Sequence, residues 1–147
     1  MNTIDAIQIE KTIELSKKCP KSKTAYSVGA ILVTAEGKIF SGYSRKTDPK
    51  NHAEEEVILK ALKDGSKIEN ATLYSSMEPC SKRKSKNKSC LELIIENKIK
   101  KVVFAASEPK DFVDCEGEKV LKNAGVKVTK FEKLEKKALD VNRHILL

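Results

Sequence analysis

Three β-branched stretches in the second half of the chain are separated by segments of helical spacing, and no other feature constrains the fold as strongly. "ATLYSS" (71–76), "KVVFAAS" (101–107) and "VKVTKF" (126–131) read as strands, while "CLELIIENKI" (90–99) and "GEKVLKNAG" (117–125) between them read as helices. A short helical crossover carries the chain back to the edge where the previous strand began, so these three strands run parallel. The first half is built differently. "SVGAILV" (27–33) and "KIFSGY" (38–43) are joined by "TAEG", in which Gly37 can take a positive φ, and this predicts a hairpin. A helix is predicted over 3–18, with Thr3 as its cap and Pro20 as its stop. Another follows His52, with Val57, Ile58, Ala61 and Leu62 as its buried stripe and Gly65 as its close. A last helix is predicted over 132–146. The order α-β-β-α-β-α-β-α-β-α over 1–147 describes one α/β domain.

Runs such as "VGAILV" and "VVFAA" fall far short of the roughly 20 apolar residues that span a membrane, and "MNTIDAIQIEK" has neither the basic start nor the apolar centre of a signal peptide. The expected location is therefore cytoplasmic, where Cys19, Cys80, Cys90 and Cys115 are reduced and a cysteine cluster points to metal or catalysis. The formal net charge of +8 suits polyanions or phosphorylated small molecules, though lysines are spread along the whole chain. Residues 81–89, "SKRKSKNKS", are denser, with five basic residues and no acidic one.

Three pieces of this sequence carry chemistry: His52-Ala53-Glu54, Pro79-Cys80, and Cys90. His52 precedes one helix, Cys80 follows a strand and Cys90 opens the next helix. Neighbouring strand-to-helix junctions share one edge of the sheet, so the three side chains can converge there. One imidazole and two thiolates make a tetrahedral zinc set with the fourth position left for water. Residues two apart on a helix do not share a face, but at the first turn side chains ring the entrance, which puts Glu54 beside His52. A carboxylate there can take a proton from the water and pass it to a leaving amine. Glu55 and Glu56 are expected to face solvent as acids favoured by the helix dipole. H-x-E followed by P-C and a second cysteine is the signature of zinc-dependent base deaminases.

The common spacing of those cysteines is C-x-x-C, whereas nine residues separate Cys80 from Cys90. Lengthening a flexible connection from two residues to nine costs only about 1–1.5 kcal/mol, small beside the roughly 10–16 kcal/mol of a structural zinc site. Cys19 and Cys115 lack a matching partner motif and are read as structural, as is His144 in the terminal helix.

With these motifs the chain resembles the cytidine deaminase-like superfamily, and within it the pyrimidine deaminases of riboflavin biosynthesis, especially the fungal type. The similar segments are "CPKSKTAYSVGAILV", "GYSR", "HAE", "MEPCSKRKSKNKSC" and "SEPKDFV…GEKVLKNAGVKV", covering roughly 19–128. The resemblance implies a three-layer α-β-α sandwich around a mixed five-stranded sheet of order 2-1-3-4-5, zinc (Zn2+) on His52, Cys80 and Cys90, and Glu54 as proton shuttle. It implies hydrolysis of the C2 amine of 2,5-diamino-6-ribitylamino-4(3H)-pyrimidinone 5′-phosphate, or of its ribosylamino precursor, with release of ammonia. No fused reductase fits in this length, so the expectation is a deaminase alone, acting as a homodimer. Ser27, Ser44, Arg45, Asn51, Glu78, Ser81, Arg83 and Phe112 become candidate substrate contacts, each of them a residue type equally at home in a solvated loop.

Two other readings stay open. One is a deaminase acting on RNA, a nucleotide or a free base. The other is a non-enzymatic, zinc-stabilised nucleic-acid-binding domain that uses the basic 81–89 stretch. A closed structural zinc has four protein ligands, so a fourth ligand such as Cys115 would favour the second.

Overall fold

The computed structural model describes residues 3–20, 22, 26–79, 89–107 and 117–146. Helix α1 (Thr3–Ser16) leads to strands β1 (Gly29–Val33) and β2 (Ile39–Tyr43). Then follow α2 (Ala53–Lys63), β3 (Thr72–Met77), α3 (Cys90–Glu96), β4 (Lys101–Ala106), α4 (Gly117–Asn123) and β5 (Lys127–Lys130). The strands form one sheet in the order β2-β1-β3-β4-β5, as the family resemblance implied. β1 pairs antiparallel with β2 and with β3, and β3, β4 and β5 are parallel. The parallel half is the one whose strands are joined by helical crossovers. In the hairpin Gly37 takes φ +93° and its N–H donates to the Thr34 carbonyl, while the Thr34 hydroxyl accepts from the Lys38 N–H.

The period of two in a strand divides the core into two clusters. Leu32, Leu73 and Val102 are consecutive ladder partners and pack with Val57, Ile58 and Ala61 of α2, Leu91 and Ile94 of α3, and Leu121 of α4. Their neighbours Ile31, Tyr74 and Val103 face the other way, against Ile9 and Ile13 of α1 and Ala138 of the C-terminal segment. β3 and β4 are therefore buried almost throughout, as expected of strands covered on both faces. α1 crosses β1 so closely that a Cβ on Gly29 would lie 1.9 Å from the Thr12 carbonyl oxygen.

Two expectations are corrected. Leu62 is 46% exposed and does not belong to the stripe of α2. It lies about 40° further round the helix than Ile58, on the side away from Val57 and Ala61. The predicted terminal helix is broken into a 3-10 turn (Glu132–Leu134), α5 (Glu135–Asp140) and α6 (Arg143–Leu146). The break falls beside Asn142, which is fully buried; its Oδ1 accepts from the Ser27 N–H at 2.6 Å and its Nδ2 donates to the Ser27 carbonyl at 3.0 Å. That pair of bonds ties the C-terminal segment to the chain entering β1. Among the described residues no helix is long and apolar enough to cross a membrane.

Candidate active site

The site is built where two helices begin. His52 is the N-cap of α2, with extended backbone (φ −81°, ψ 161°) and no side-chain capping bond, and its carbonyl accepts from the Glu56 N–H. Cys90 is the first residue of α3 and is fully buried. The cap of α3 is Ser89, whose Oγ accepts from the Glu92 N–H at 3.2 Å, and "SCLE" has the serine and glutamate spacing of a capping box. Both helix starts direct backbone N–H groups and positive dipole ends toward this corner, which favours anionic side chains.

The His52 Nδ1 and Cys90 Sγ atoms are 3.4 Å apart. Glu54 is 3% exposed, and the ligand-capable atoms of His52, Glu54 and Cys90 all lie within 4.8 Å of one another. A tetrahedral zinc with ordinary Zn–N and Zn–S bonds separates nitrogen from sulfur by about 3.6 Å, so this donor pair fits that ion without rearrangement. Cys80 lies outside the described residues. The strand that leads to it ends at Met77, followed by the buried Glu78 and Pro79.

The expectation that Glu55 and Glu56 face solvent is contradicted, since each is only 6% exposed. Glu56 accepts from the Thr47 N–H at 2.8 Å and from the Thr47 hydroxyl at 2.8 Å. The 44–51 connection folds back over the first turn of α2, closed by the Arg45 N–H donating to the Asn51 carbonyl and the Asn51 N–H to that of Asp48. Only Glu54 of the three shares the corner with His52 and Cys90.

The candidate substrate contacts that are described lie in different places. Ser27, Ser44 and Arg45 brace the chain that enters β1. The Ser44 hydroxyl lies 3.1 Å from the Val28 N–H, from which it accepts. Arg45, with φ +63°, donates through Nη1 to the Tyr26 carbonyl and through Nη2 to the Pro20 carbonyl at 2.7 Å, and reaches Ser27 Oγ at 3.3 Å. Asn51 is buried next to His52, with its Nδ2 donating to Thr47 Oγ1 at 3.3 Å. Glu78 is buried against the start of α4 and accepts from the Glu118 N–H. Burial pushes its carboxyl above the ordinary carboxylate range, opposed by hydrogen bonds from Ser107 and Glu118. Ser81, Arg83, Phe112, Cys115 and the basic stretch up to residue 88 lie outside the described residues.

Of the cysteines and histidine read as structural, Cys19 is buried with its thiol 3.5 Å from the Val28 carbonyl, and His144 Nε2 lies 3.0 Å from the Ser22 carbonyl. Sequence reasoning did not single out Ser75, whose hydroxyl lies 2.7 Å from Glu54 Oε1. No spacing rule marks a serine in the middle of a buried strand, and it is found only once β3 and α2 are placed together.

Residues 3–106 match the family described as the cytidine and deoxycytidylate deaminase zinc-binding region. The chain is 47% identical over 121 residues to the diaminohydroxyphosphoribosylamino-pyrimidine deaminase of Schizosaccharomyces pombe, covering 80% of this chain and 30% of that protein. A bifunctional diaminohydroxyphosphoribosylaminopyrimidine deaminase/5-amino-6-(5-phosphoribosylamino)uracil reductase from Thermotoga maritima superposes with a TM-score of 0.85 at 28% identity, over 97% of this chain and 40% of that one. The Rib2 deaminase of Aspergillus oryzae, solved as a C-terminal deletion mutant in complex with DARIPP, superposes with a TM-score of 0.79 at 28% identity, over 93% of this chain and 88% of that one. The chain thus spans 30% of the fission-yeast protein's length and 40% of the Thermotoga chain's. Sequence match, sheet order and the His-Glu-Cys corner agree, and the chain belongs to the zinc-binding cytidine and deoxycytidylate deaminase family, with its similarities on the side of the riboflavin-pathway pyrimidine deaminases.

Proposed function

We propose that this chain is one zinc-dependent domain that hydrolytically deaminates a riboflavin-pathway pyrimidine, 2,5-diamino-6-ribitylamino-4(3H)-pyrimidinone 5′-phosphate or its ribosylamino precursor. The observation that carries the reading is the corner where half-buried His52 meets buried Glu54 and Cys90, whose imidazole and thiol lie at zinc-binding separation with one carboxylate beside them. His52, Cys80 and Cys90 hold the metal in this reading. Zinc bound there supplies Lewis acidity that brings the ionisation of a water down to near neutral pH. Glu54 takes the proton released as the oxygen adds at C2, then delivers it to the amine, which leaves as ammonia. Burial of Glu54 keeps bulk water from competing for that proton. Arg83 is assigned the phosphate, because a guanidinium binds it bidentately, and Asn51, next to His52, is assigned the polar ring edge. The same family reading carries a cytoplasmic location and a homodimer, and sedimentation of the purified chain tests the second.

The test is ammonia release from a panel: both pyrimidine phosphates, their dephosphorylated forms, cytidine, deoxycytidylate and a short single-stranded RNA. Turnover of a pyrimidine phosphate, poor turnover without the phosphate, and none of the others support the reading. Deamination of RNA or cytidine alone overturns it.

A further inference from the structure

Ser75 has no role in the chemistry above, yet its Oγ lies 2.7 Å from Glu54 Oε1 and also 2.7 Å from the Met77 carbonyl oxygen. A serine hydroxyl has a single proton, and a carbonyl oxygen can only accept. When Glu54 is ionised, the hydroxyl turns and donates to it. When Glu54 carries a proton, the carboxyl donates to Ser75 Oγ and the serine proton turns to Met77. The oxygen atoms keep their places in both arrangements, and no proton leaves Ser75.

The serine is set firmly enough for this task. It is fully buried in the middle of β3, opposite Ala30 of β1 on one side and Phe104 of β4 on the other. A group held by a strand paired on both sides is placed more accurately than one on a loop. We propose that Ser75 is the positioning residue for Glu54, holding its carboxyl in one place while it accepts and returns a proton. The inference rests on Glu54 being the proton shuttle of the deamination proposed above. Ser75 acts through Glu54 and needs no contact with the substrate.

The variants are Ser75→Ala and Ser75→Thr in the full zinc-loaded chain, with Glu54→Gln as reference. A hydrogen bond to a charged group sets the scale: kcat for ammonia release should fall about 10- to 100-fold in Ser75→Ala. KM should stay within about two-fold and zinc content should not change. Ser75→Thr, which keeps the hydroxyl, should recover most of the rate. A second readout needs no substrate. The infrared carboxyl band that disappears in Glu54→Gln should shift in Ser75→Ala and return toward its parent position in Ser75→Thr. Parent-like kcat in Ser75→Ala, or an unshifted Glu54 band, overturns the proposal. So does a loss of rate that follows zinc loss or KM alone, which would mark a structural role. A parent chain that is inert toward the pyrimidine phosphates while the band shifts as described removes the substrate assignment and supports the placement of Glu54 by Ser75.

Discussion

Glu54, Glu55 and Glu56 are adjacent, identical and all buried, yet their surroundings give them different work. Glu54 meets His52, Cys90 and Ser75, whereas Glu56 is spent on Thr47. Glu54→Gln keeps the shape and removes the proton-accepting oxygen. It should retain zinc and lose about 10²- to 10⁴-fold in turnover, measured as ammonia release alongside metal content. Glu56→Gln should cost stability and not turnover. Two short bonds from Thr47 to a buried carboxylate are weakened, which should destabilise the fold by about 1.5–3 kcal/mol and show as a lower Tm, with turnover per folded molecule within a few-fold of the parent. The sequence could separate Glu54 from its neighbours because the H-x-E pattern is local to one helix turn. It could not foresee that Glu56 is covered, because the cover comes from the 44–51 connection, whose folding depends on contacts among Arg45, Asn51 and Thr47 that no periodicity announces.

Between elements, the attachment of α1 to the sheet is polar as well as apolar. The Asp5 carboxylate receives the Tyr74 hydroxyl at 2.7 Å and the Lys101 ammonium at 2.9 Å, joining α1 to β3 and β4. Burial by itself would push the Asp5 carboxyl up, but the Tyr74 and Lys101 bonds outweigh it and hold the group below its usual value of 3.8. Burial and the adjacent Asp5 charge push the Tyr74 hydroxyl up. A carboxyl depressed in the fold stabilises it fully above the unfolded-chain value and loses that contribution as pH falls through the folded value. Asp5→Asn should therefore lower Tm at neutral pH, and its deficit against the parent should narrow as pH drops below 3.8, followed by thermal melts across pH. A deficit independent of pH would mean that the carboxylate's charge contributes nothing. Strand directions were legible at this scale because a crossover helix leaves one choice of direction. The break in the C-terminal helix was not, because the Asn142 side chain finds its partner in the Ser27 backbone, 115 residues away.

For the whole molecule, alternation of strand and helix led to a sheet with apolar clusters on both faces, and the family resemblance implied the observed strand order. The +8 charge stays compatible with a phosphorylated small molecule or with nucleic acid, since charge acts at long range and says little about shape. Chemistry at the corner of α2 and α3 decides between them, and metal and turnover measured on one preparation test it most directly. The account predicts one zinc per chain. Chelation should abolish ammonia release from the pyrimidine phosphate and added zinc should restore it. Zinc should be lost in His52→Ala, Cys80→Ser and Cys90→Ser, and kept in Cys19→Ser and Cys115→Ser. Full zinc occupancy in Cys90→Ser, zinc loss in Cys115→Ser, or a zinc-loaded chain that releases no ammonia and binds RNA with a steep salt dependence would contradict it.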